Sequence, residues 1–502
     1  MLRAYVAETV RRAEEPLLEA GVPLMRRASY AVANHALAYL RREGFRIPGS
    51  TVLALVGRGN NGGDALFAAA FLAERGLAVT AIYTGDVHDD GLRAAKRSGV
   101  HLVAFDDPTS DAAIARLRDV ADYGGIWIDG LLGIGAPGGA REPYVTWIRV
   151  LEEERLASPD EPYIIAVDTP SGVGVDDGSL PGPVLPASLT VAMGCAKPAH
   201  VLPPARYVCG EVDVVDLGFE AHLPAQADVM ELADSDVADL WLVPGVDDHK
   251  YTRGVVGLLT GSDTYPGAAV LGAAGALGAG PGMVRYFGNS PLVIPAFPEV
   301  VPADGRVQSL VIGSGLDTLN FARSRCYDAL ADGNPVVLDA GAIELAYKLD
   351  LPHSAVLTPH AGELAALLRA KGSEVDRAEV EARPVWAAKK AAELTGATIL
   401  AKFATDVVAA PSGEVYVQGG APGWTGTAGA GDVLAGLLGT LLAMHAQDLS
   451  EGLPARLAAA ASHIHAQAAI LASSSQGRVG RPIRASQIAA AIPDVIERML
   501  NE

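Results

Sequence analysis

Cysteine is scarce in this chain. Three occur among 502 residues, Cys195, Cys209 and Cys326, and no two stand in a CxxC spacing. That excludes a structural zinc site and fits a reducing compartment. Positive charge is also short: 39 Lys and Arg face 59 Asp and Glu, leaving a formal net charge of -20. Such a balance argues against nucleic acid or an anionic membrane as partner, so an anionic substrate must be met by local donors. No run suits a lipid span. Pro266 to Val284 is uncharged but built of Gly and Ala and broken by Pro281, so a buried helix followed by a turn is expected. The N-terminal MLRAYVAETVRRAEEPLLEAG places glutamates where a signal peptide needs an apolar core, and reads as an amphipathic helix. A GxxxxGK[ST] motif is missing too, so any nucleotide site is not a P-loop.

What is present is apolar and glycine-rich: half the residues are hydrophobic and 56 are Gly. This suits an α/β protein with tight ligand-binding turns. The length favours two or three domains. TVLALVG, LAVTAIYTG, GIWIDG, YIIAVDTPSG and LTVAMG read as buried parallel strands. GVVGLLTGS, MVRYF, SLVIGSGL, PVVLDAG, SAVLTPH and ATILAKFATDVVAA begin a second series, the last continuing as a hairpin through PSGEVYVQ. Alternation lapses between Phe219 and Asp234, which sets domains at 1–222 and 235–502.

In the first half, Gly57-Arg-Gly59-Asn-Asn-Gly62 follows a strand, and a helix is expected from Gly63 to Arg75. The pattern is that of a dinucleotide site, yet Asp64 stands beside the expected phosphate position. Three polar clusters follow strands: Asn60-Asn61-Gly-Gly-Asp64, Asp129-Gly-Leu-Leu-Gly133-Ile-Gly135 and Asp168-Thr-Pro-Ser171. Each has a plainer reading, asparagines as turn formers and aspartates as helix caps. Together they describe an oxygen-rich site for a phosphorylated small molecule and a hard cation; the lack of a His or Cys cluster excludes a transition metal. Asp168 can exchange a proton with substrate.

In the second half, Gly426-Thr-Ala-Gly429-Ala-Gly431-Asp432 enters an apolar helix. Amides there can hold a phosphoryl group while Asp432 takes a proton from a hydroxyl; the alternative is an aspartate capping the helix. Asp339 ends a strand, His360 and Glu363 lie in TPHAGE, and Lys402 sits inside an apolar segment.

NNGGD, DGLLGIG, VDTPSGVGVDDG, AKPAH and CGEVDVVDLG, in this order, resemble the epimerase domain of NAD(P)H-hydrate repair proteins over Met1 to Phe219. GSDTYPGAAVLGAAGALGAGPGMV, VIGSGL, VVLDAG, VLTPHAGE and GAGDVLAG resemble the ADP-dependent dehydratase domain over Leu240 to Leu500. The resemblance implies an α/β protein with a Rossmann-like three-layer domain followed by a ribokinase-like three-layer domain. It implies epimerisation of the S and R forms of NADHX and NADPHX, and dehydration of the S form at the expense of ADP, giving AMP and phosphate. By the same resemblance K+ binds Asn61, Asp129 and Ser171, and Mg2+ accompanies ADP. Substrate contacts are Asn60, Asn61, Gly62, Gly63, Asp64, Gly133, Ile134, Gly135, Ala136, Pro137, Gly138, Gly139 and Asp168 in the first domain. In the second they are Ala269, Gly315, His360 and Asp432. Lys402, Phe403, Ala404, Thr405, Asp406 and Gly431 face the nucleotide, and Asp168 and Asp432 are the catalytic residues. Ala65, Phe403 and Ala430 depart from the usual pattern. A cytoplasmic homo-oligomer is expected. The competing reading is a ribokinase-like small-molecule kinase carrying a non-catalytic dinucleotide-binding module.

Overall fold

The computed structural model describes residues 1–122, 124–136, 138–474 and 480–501. They divide into two compact units, Arg3–Asp228 and, with Met1–Leu2, Val229–Glu502.

In the first unit, helices α1 (Ala7–Glu19) and α2 (Leu24–Arg42) precede strand β1 (Thr51–Val56), helix α3 (Asn60–Glu74), and strands β2 (Ala78–Tyr83), β3 (His101–Ala104) and β4 (Ile126–Gly130). Helix α4 (Tyr144–Ala157) leads to β5 (Tyr163–Val167), β6 (Leu189–Met193) and β7 (Glu211–Val215). The order is β3-β2-β1-β4-β5-β6-β7, and every neighbouring pair is parallel. Strands such as IWIDG and LTVAM are buried at every residue, because helices cover a parallel sheet. Leu53, Leu55, Trp127 and Ile164 pack with Trp147 and Leu151 of α4 in one core. The two indoles donate to the carbonyls of Gly124 and Pro108 at 3.0 Å each, so their burial leaves no orphan donor. Truncating either to alanine is expected to cost about 3–5 kcal/mol.

The order reverses at β1, between β2 and β4. This is where such sheets open a crevice at the carboxyl ends of their strands. Helix α3 starts at Asn60, three residues before the sequence-based expectation. Asn60, Asn61 and Gly62 are therefore inside the helix rather than in the turn before it. A Cβ at Gly62 would lie 1.9 Å from the Gly57 carbonyl oxygen, so the missing side chain lets the first turn rest on the end of β1. Ala65 is fully buried, and a Cβ at Gly130 would lie 2.5 Å from its methyl. Gly130 thus makes the room that Ala65 fills.

The second unit holds β8 (Val229–Glu231), β9 (Val255–Leu259), α5 (Pro266–Gly278), β10 (Met283–Tyr286), β11 (Ser309–Ile312), β12 (Val336–Leu338), β13 (Val356–Leu357) and α6 (Ala361–Ala370). Strands β14 (Thr398–Ala401), β15 (Asp406–Ala409) and β16 (Val415–Gln418) precede helices α7 (Ala430–Met444) and α8 (Leu453–Ser473). Among these strands the order is β8-β16-β15-β14-β13-β12-β11-β9-β10. From β10 to β14 the pairs are parallel. The expected hairpin makes β15 antiparallel to both of its neighbours, so the sheet is mixed. Helices α5 and α7 meet backbone to backbone: a Cβ at Gly275 would lie 2.1 Å from the Val433 carbonyl oxygen, and one at Gly436 2.0 Å from that of Gly272. That contact explains the uncharged Gly/Ala run. Among the described residues no helix is long and apolar enough to cross a membrane.

Candidate active sites

In the first unit β4 delivers Asp129, fully buried, to the crevice. Its carboxylate accepts from the Ser171 amide at 2.8 Å, the Ser171 hydroxyl at 2.6 Å and the Leu131 amide at 3.3 Å. The Ser171 hydroxyl in turn accepts from the Leu132 amide at 2.9 Å, and the Asn61 side-chain amide donates to the Leu132 carbonyl at 2.7 Å. Asn61, Asp129 and Ser171 therefore belong to one network, drawn from α3, β4 and the turn after β5. Burial pushes the Asp129 carboxyl up, against the pull of Ser171 and Leu131. All its hydrogen-bond partners are neutral.

Asp168 follows β5 at φ 66°, one of two non-glycine residues at positive φ among those described. The Thr169 amide donates back to the Val167 carbonyl at 2.8 Å, closing a three-residue turn over Asp168. Such a backbone costs about 1–3 kcal/mol and persists only where its surroundings fix it. Here they do. The Met193 amide donates to Asp168 Oδ1 at 2.9 Å, the Lys197 ammonium binds the same oxygen, and His200 Nε2 lies 2.8 Å from the Asp168 carbonyl oxygen.

The other expected contacts are distributed unevenly. Asn60 is exposed at the start of α3, while Gly62 and Gly63 are buried. The loop carbonyl of Ile134 accepts from Arg11 of α1 at 2.7 Å, and the Ala136 amide donates to Gly133 at 3.0 Å. Gly133 lies against the Asn61 amide, Gly135 and Gly138 border open space, and Gly139 approaches Pro181. Pro137 lies outside the described residues. Asp64 is buried and accepts from Ser29 of α2 at 3.1 Å. Burial pushes its carboxyl well above the ordinary range, and Asp168 and Glu14 add repulsion against the pull of Ser29. Burial thus works against the charged form of the acid beside the glycine loop, which eases its conflict with a phosphate there.

In the second unit Asp339 follows β12, buried, and accepts from Ser314 Oγ at 2.6 Å, Thr358 Oγ1 at 2.7 Å and Lys402 Nζ at 2.7 Å. Burial raises this carboxyl, but the Lys402 ammonium and the two hydroxyls outweigh it and hold it below the ordinary range. Lys402 is 21% exposed, and a Cβ at Gly431 would come within 3.2 Å of its Nζ. Gly429 caps α7 at φ 91°. Asp432 therefore sits in the first turn, not at the cap, which sets aside the capping alternative. Burial pushes its carboxyl up to about 6; Asp339 adds repulsion, while Ser314 and Lys402 pull the other way.

His360 has a structural duty: its Nδ1 accepts from the Gly362 and Glu363 amides at 3.0 and 3.2 Å, capping α6. It pairs in register with Lys402, so both lie on this rim. Gly315, at φ 70°, leaves room for Ala268 and Tyr265. Ala269 is fully buried beneath Gly261 and offers the site space, not a surface. Phe403 is half-buried, Ala404 exposed and Thr405 buried. Asp406 turns inward, accepting from the Phe403 amide at 3.0 Å and Ser462 at 2.7 Å. Burial pushes it up to about 6, so it shapes the 402–406 turn. A cavity of about 360 Å³ opens beside Gly261, Ser262 and Leu316, near this rim. A larger cavity, about 690 Å³, is lined by Trp241, Arg253 and Met444. It borders the start of β9, away from the strand ends that carry the chemistry.

A family described as YjeF-related protein N-terminus matches residues 21–199, and one described as NAD(P)H-hydrate dehydratase matches residues 256–493. The bifunctional NAD(P)H-hydrate repair enzyme of Mycobacterium leprae is 38% identical over 509 residues, covering 98% of each chain. That of Mycobacterium tuberculosis is 39% identical over 476 residues, covering 92% of each. The chain belongs to the bifunctional NAD(P)H-hydrate repair enzymes. Among solved structures, the ADP/ATP-dependent NAD(P)H-hydrate dehydratase of Bacillus subtilis, co-crystallised with ATP and Mg2+, is 25% identical with a TM-score of 0.46. The match covers 53% of this chain and 97% of that one.

As a repair enzyme of this family the chain is both an isomerase and a lyase, built from a Rossmann-like parallel-sheet unit and an α/β unit with a mixed sheet. Several residues at its strand ends escaped the sequence reading. Lys197 and His200 lie within AKPAH, where a lysine among small apolar residues was the available signal. Ser314 and Thr358 were hidden because hydroxyls beside glycine and proline are equally at home in turns.

Proposed function

We propose that domain 1–222 interconverts the S and R hydrates of NADH and NADPH, and that domain 235–502 dehydrates the S form with ADP. The observation that carries this reading is the pair of separate strand-end constellations, one ending in Asp168 and the other in Asp432. At the first, Asp168 meets the hydrate with the oxygen that Lys197 and Met193 leave free, and exchanges a proton there. Backbone at Gly135 and Gly138, which border open space, can approach the diphosphate.

Asn61, Asp129 and Ser171 fit K+. All three present oxygens, and the buried Asp129 carboxylate has only neutral hydrogen-bond partners. When bound, the ion would offset that buried charge. In the second domain no cluster of three His, Cys, Asp or Glu side chains suited to a metal occurs among the described residues. Mg2+ held chiefly by ADP phosphates and water needs no such cage, and it would supply charge neutralisation there.

The repair step then follows from the residues. Asp432 takes the proton of the hydrate hydroxyl, whose oxygen attacks the β-phosphorus of ADP as AMP leaves. Amides at the start of α7 and the ammonium of Lys402 stabilise the charge on the transferred group. Loss of phosphate from carbon, with a ring proton, restores the reduced nicotinamide. Conversion of a mixed S and R sample by the intact chain, with ADP and ATP in parallel, tests the reading. Full conversion to NADH with AMP released is expected; a stable phosphorylated alcohol without NADH would instead establish the kinase alternative.

A further inference from the structure

Lys197 is fully buried, an unusual place for an ammonium. Its three donors are all engaged: Asp168 Oδ1, the Met193 carbonyl at 2.8 Å and the Cys195 carbonyl at 3.0 Å. It therefore has neither a spare N–H nor an open face for substrate. A nucleophilic or Schiff-base lysine would need both.

The same residue holds Asp168 a second way. The Lys197 amide donates to His200 Nδ1 at 3.1 Å, so the His200 proton is on Nε2, which donates to the Asp168 carbonyl. Burial, with Lys197 adding to it, pushes His200 down to about 4, so the imidazole is neutral. Carboxylate and backbone of Asp168 are thus fixed together, and both protein contacts fall on Oδ1. Oδ2 is left for substrate. Glu14 and Asp64, both raised by burial, are the other carboxyl groups whose charge acts on Asp168.

We propose that Lys197 is a positioning residue for epimerisation, its ammonium fixing the strained Asp168 so that Oδ2 meets the hydrate. This rests on the role of Asp168 given above. The test compares Lys197→Met, Asp168→Asn and the double variant in the full chain, following epimer ratio, with circular dichroism and thermal unfolding of the full chain as the check on folding and ADP-dependent dehydration of the S form as the check on the second unit. Lys197→Met should lower kcat for epimerisation about 10²-fold, the cost of a misplaced reacting group, while KM for the hydrate stays within about twofold and dehydration is retained. The double variant should epimerise no more slowly than Asp168→Asn alone, because the lysine acts through that carboxylate.

Parental epimerisation in folded Lys197→Met, or losses that multiply in the double variant, overturns the proposal. If Asp168→Asn itself epimerises at the parental rate, the role of Asp168 falls first and the lysine's with it. If Asp168→Asn loses activity and Lys197→Met does not, only the lysine's role is lost. Should Lys197→Met fail to fold, Lys197→Ala refolded with propylamine decides: a rate rising with propylammonium supports positioning, and a flat response contradicts it.

Discussion

Each unit places an Asp–Lys pair at the end of its sheet, and the two pairs are built in opposite senses. In the first, the lysine is 0% exposed and the aspartate 9%; in the second, the aspartate is 3% exposed and the lysine 21%. The hidden member is the more fully engaged in both cases. Lys197 donates to Asp168, Met193 and Cys195; Asp339 accepts from Ser314, Thr358 and Lys402. The exposed member keeps hydrogen-bonding capacity in reserve. One unit therefore presents a carboxylate, suited to moving a proton, and the other an ammonium, suited to a phosphate. An ion pair alone does not predict which partner faces substrate. Counting its remaining hydrogen bonds does.

The largest expected effect breaks the second pair. Lys402→Met removes the ammonium proposed above to face the phosphoryl group and leaves Asp339 with two hydroxyl donors. Dehydration should fall about 10²–10³-fold, seen as lost kcat and a raised KM for ADP, with epimerisation unchanged. Dehydration within twofold of the parental rate would show that Lys402 serves only Asp339.

pH separates the units next. Asp432 must be ionised to take a proton, and burial with the repulsion of Asp339 has pushed it up to about 6. The dehydration rate should rise with pH through about 6 and flatten above it, since protonation below that value removes the base. A rate profile flat from pH 5 to 7 would contradict this assignment.

The smallest effect concerns the cation. Potassium should raise epimerisation in the parental chain and have less effect in Asp129→Asn, while dehydration responds equally in both. An unchanged potassium response in the folded variant removes Asp129 from the ion site.

Much of the architecture was legible in the sequence. Buried parallel strands show as unbroken apolar runs, and residues that follow them gather at one rim whatever the loops do. The rim therefore collected Asn61, Asp129, Ser171 and Asp168, and separately Asp339, His360, Lys402 and Asp432. Depth was not legible. Asp64 and Asp406 occupy loop-adjacent positions that suit a ligand contact, yet Ser29 and Ser462 draw both carboxyls inward. Those serines are distant in sequence and nothing local announces them. Lys197 was missed for the converse reason: a lysine in AKPAH reads as exposed until β6 carries it back beside β5. The start of α3 was misplaced because Asn60 to Gly62 read as a turn, whereas Gly62 permits a close contact between the helix and the end of β1.

The central claim is that two independent sites share one chain. Asp168→Asn and Asp432→Asn, each supplied with pure R and pure S hydrate plus ADP, test it through NADH absorbance and epimer ratio followed in parallel. The account predicts reciprocal losses: Asp168→Asn dehydrates the S form at the parental rate and leaves the R form untouched, while Asp432→Asn interconverts the epimers and forms almost no NADH. Loss of both activities in either folded variant, or retention of both, would contradict it.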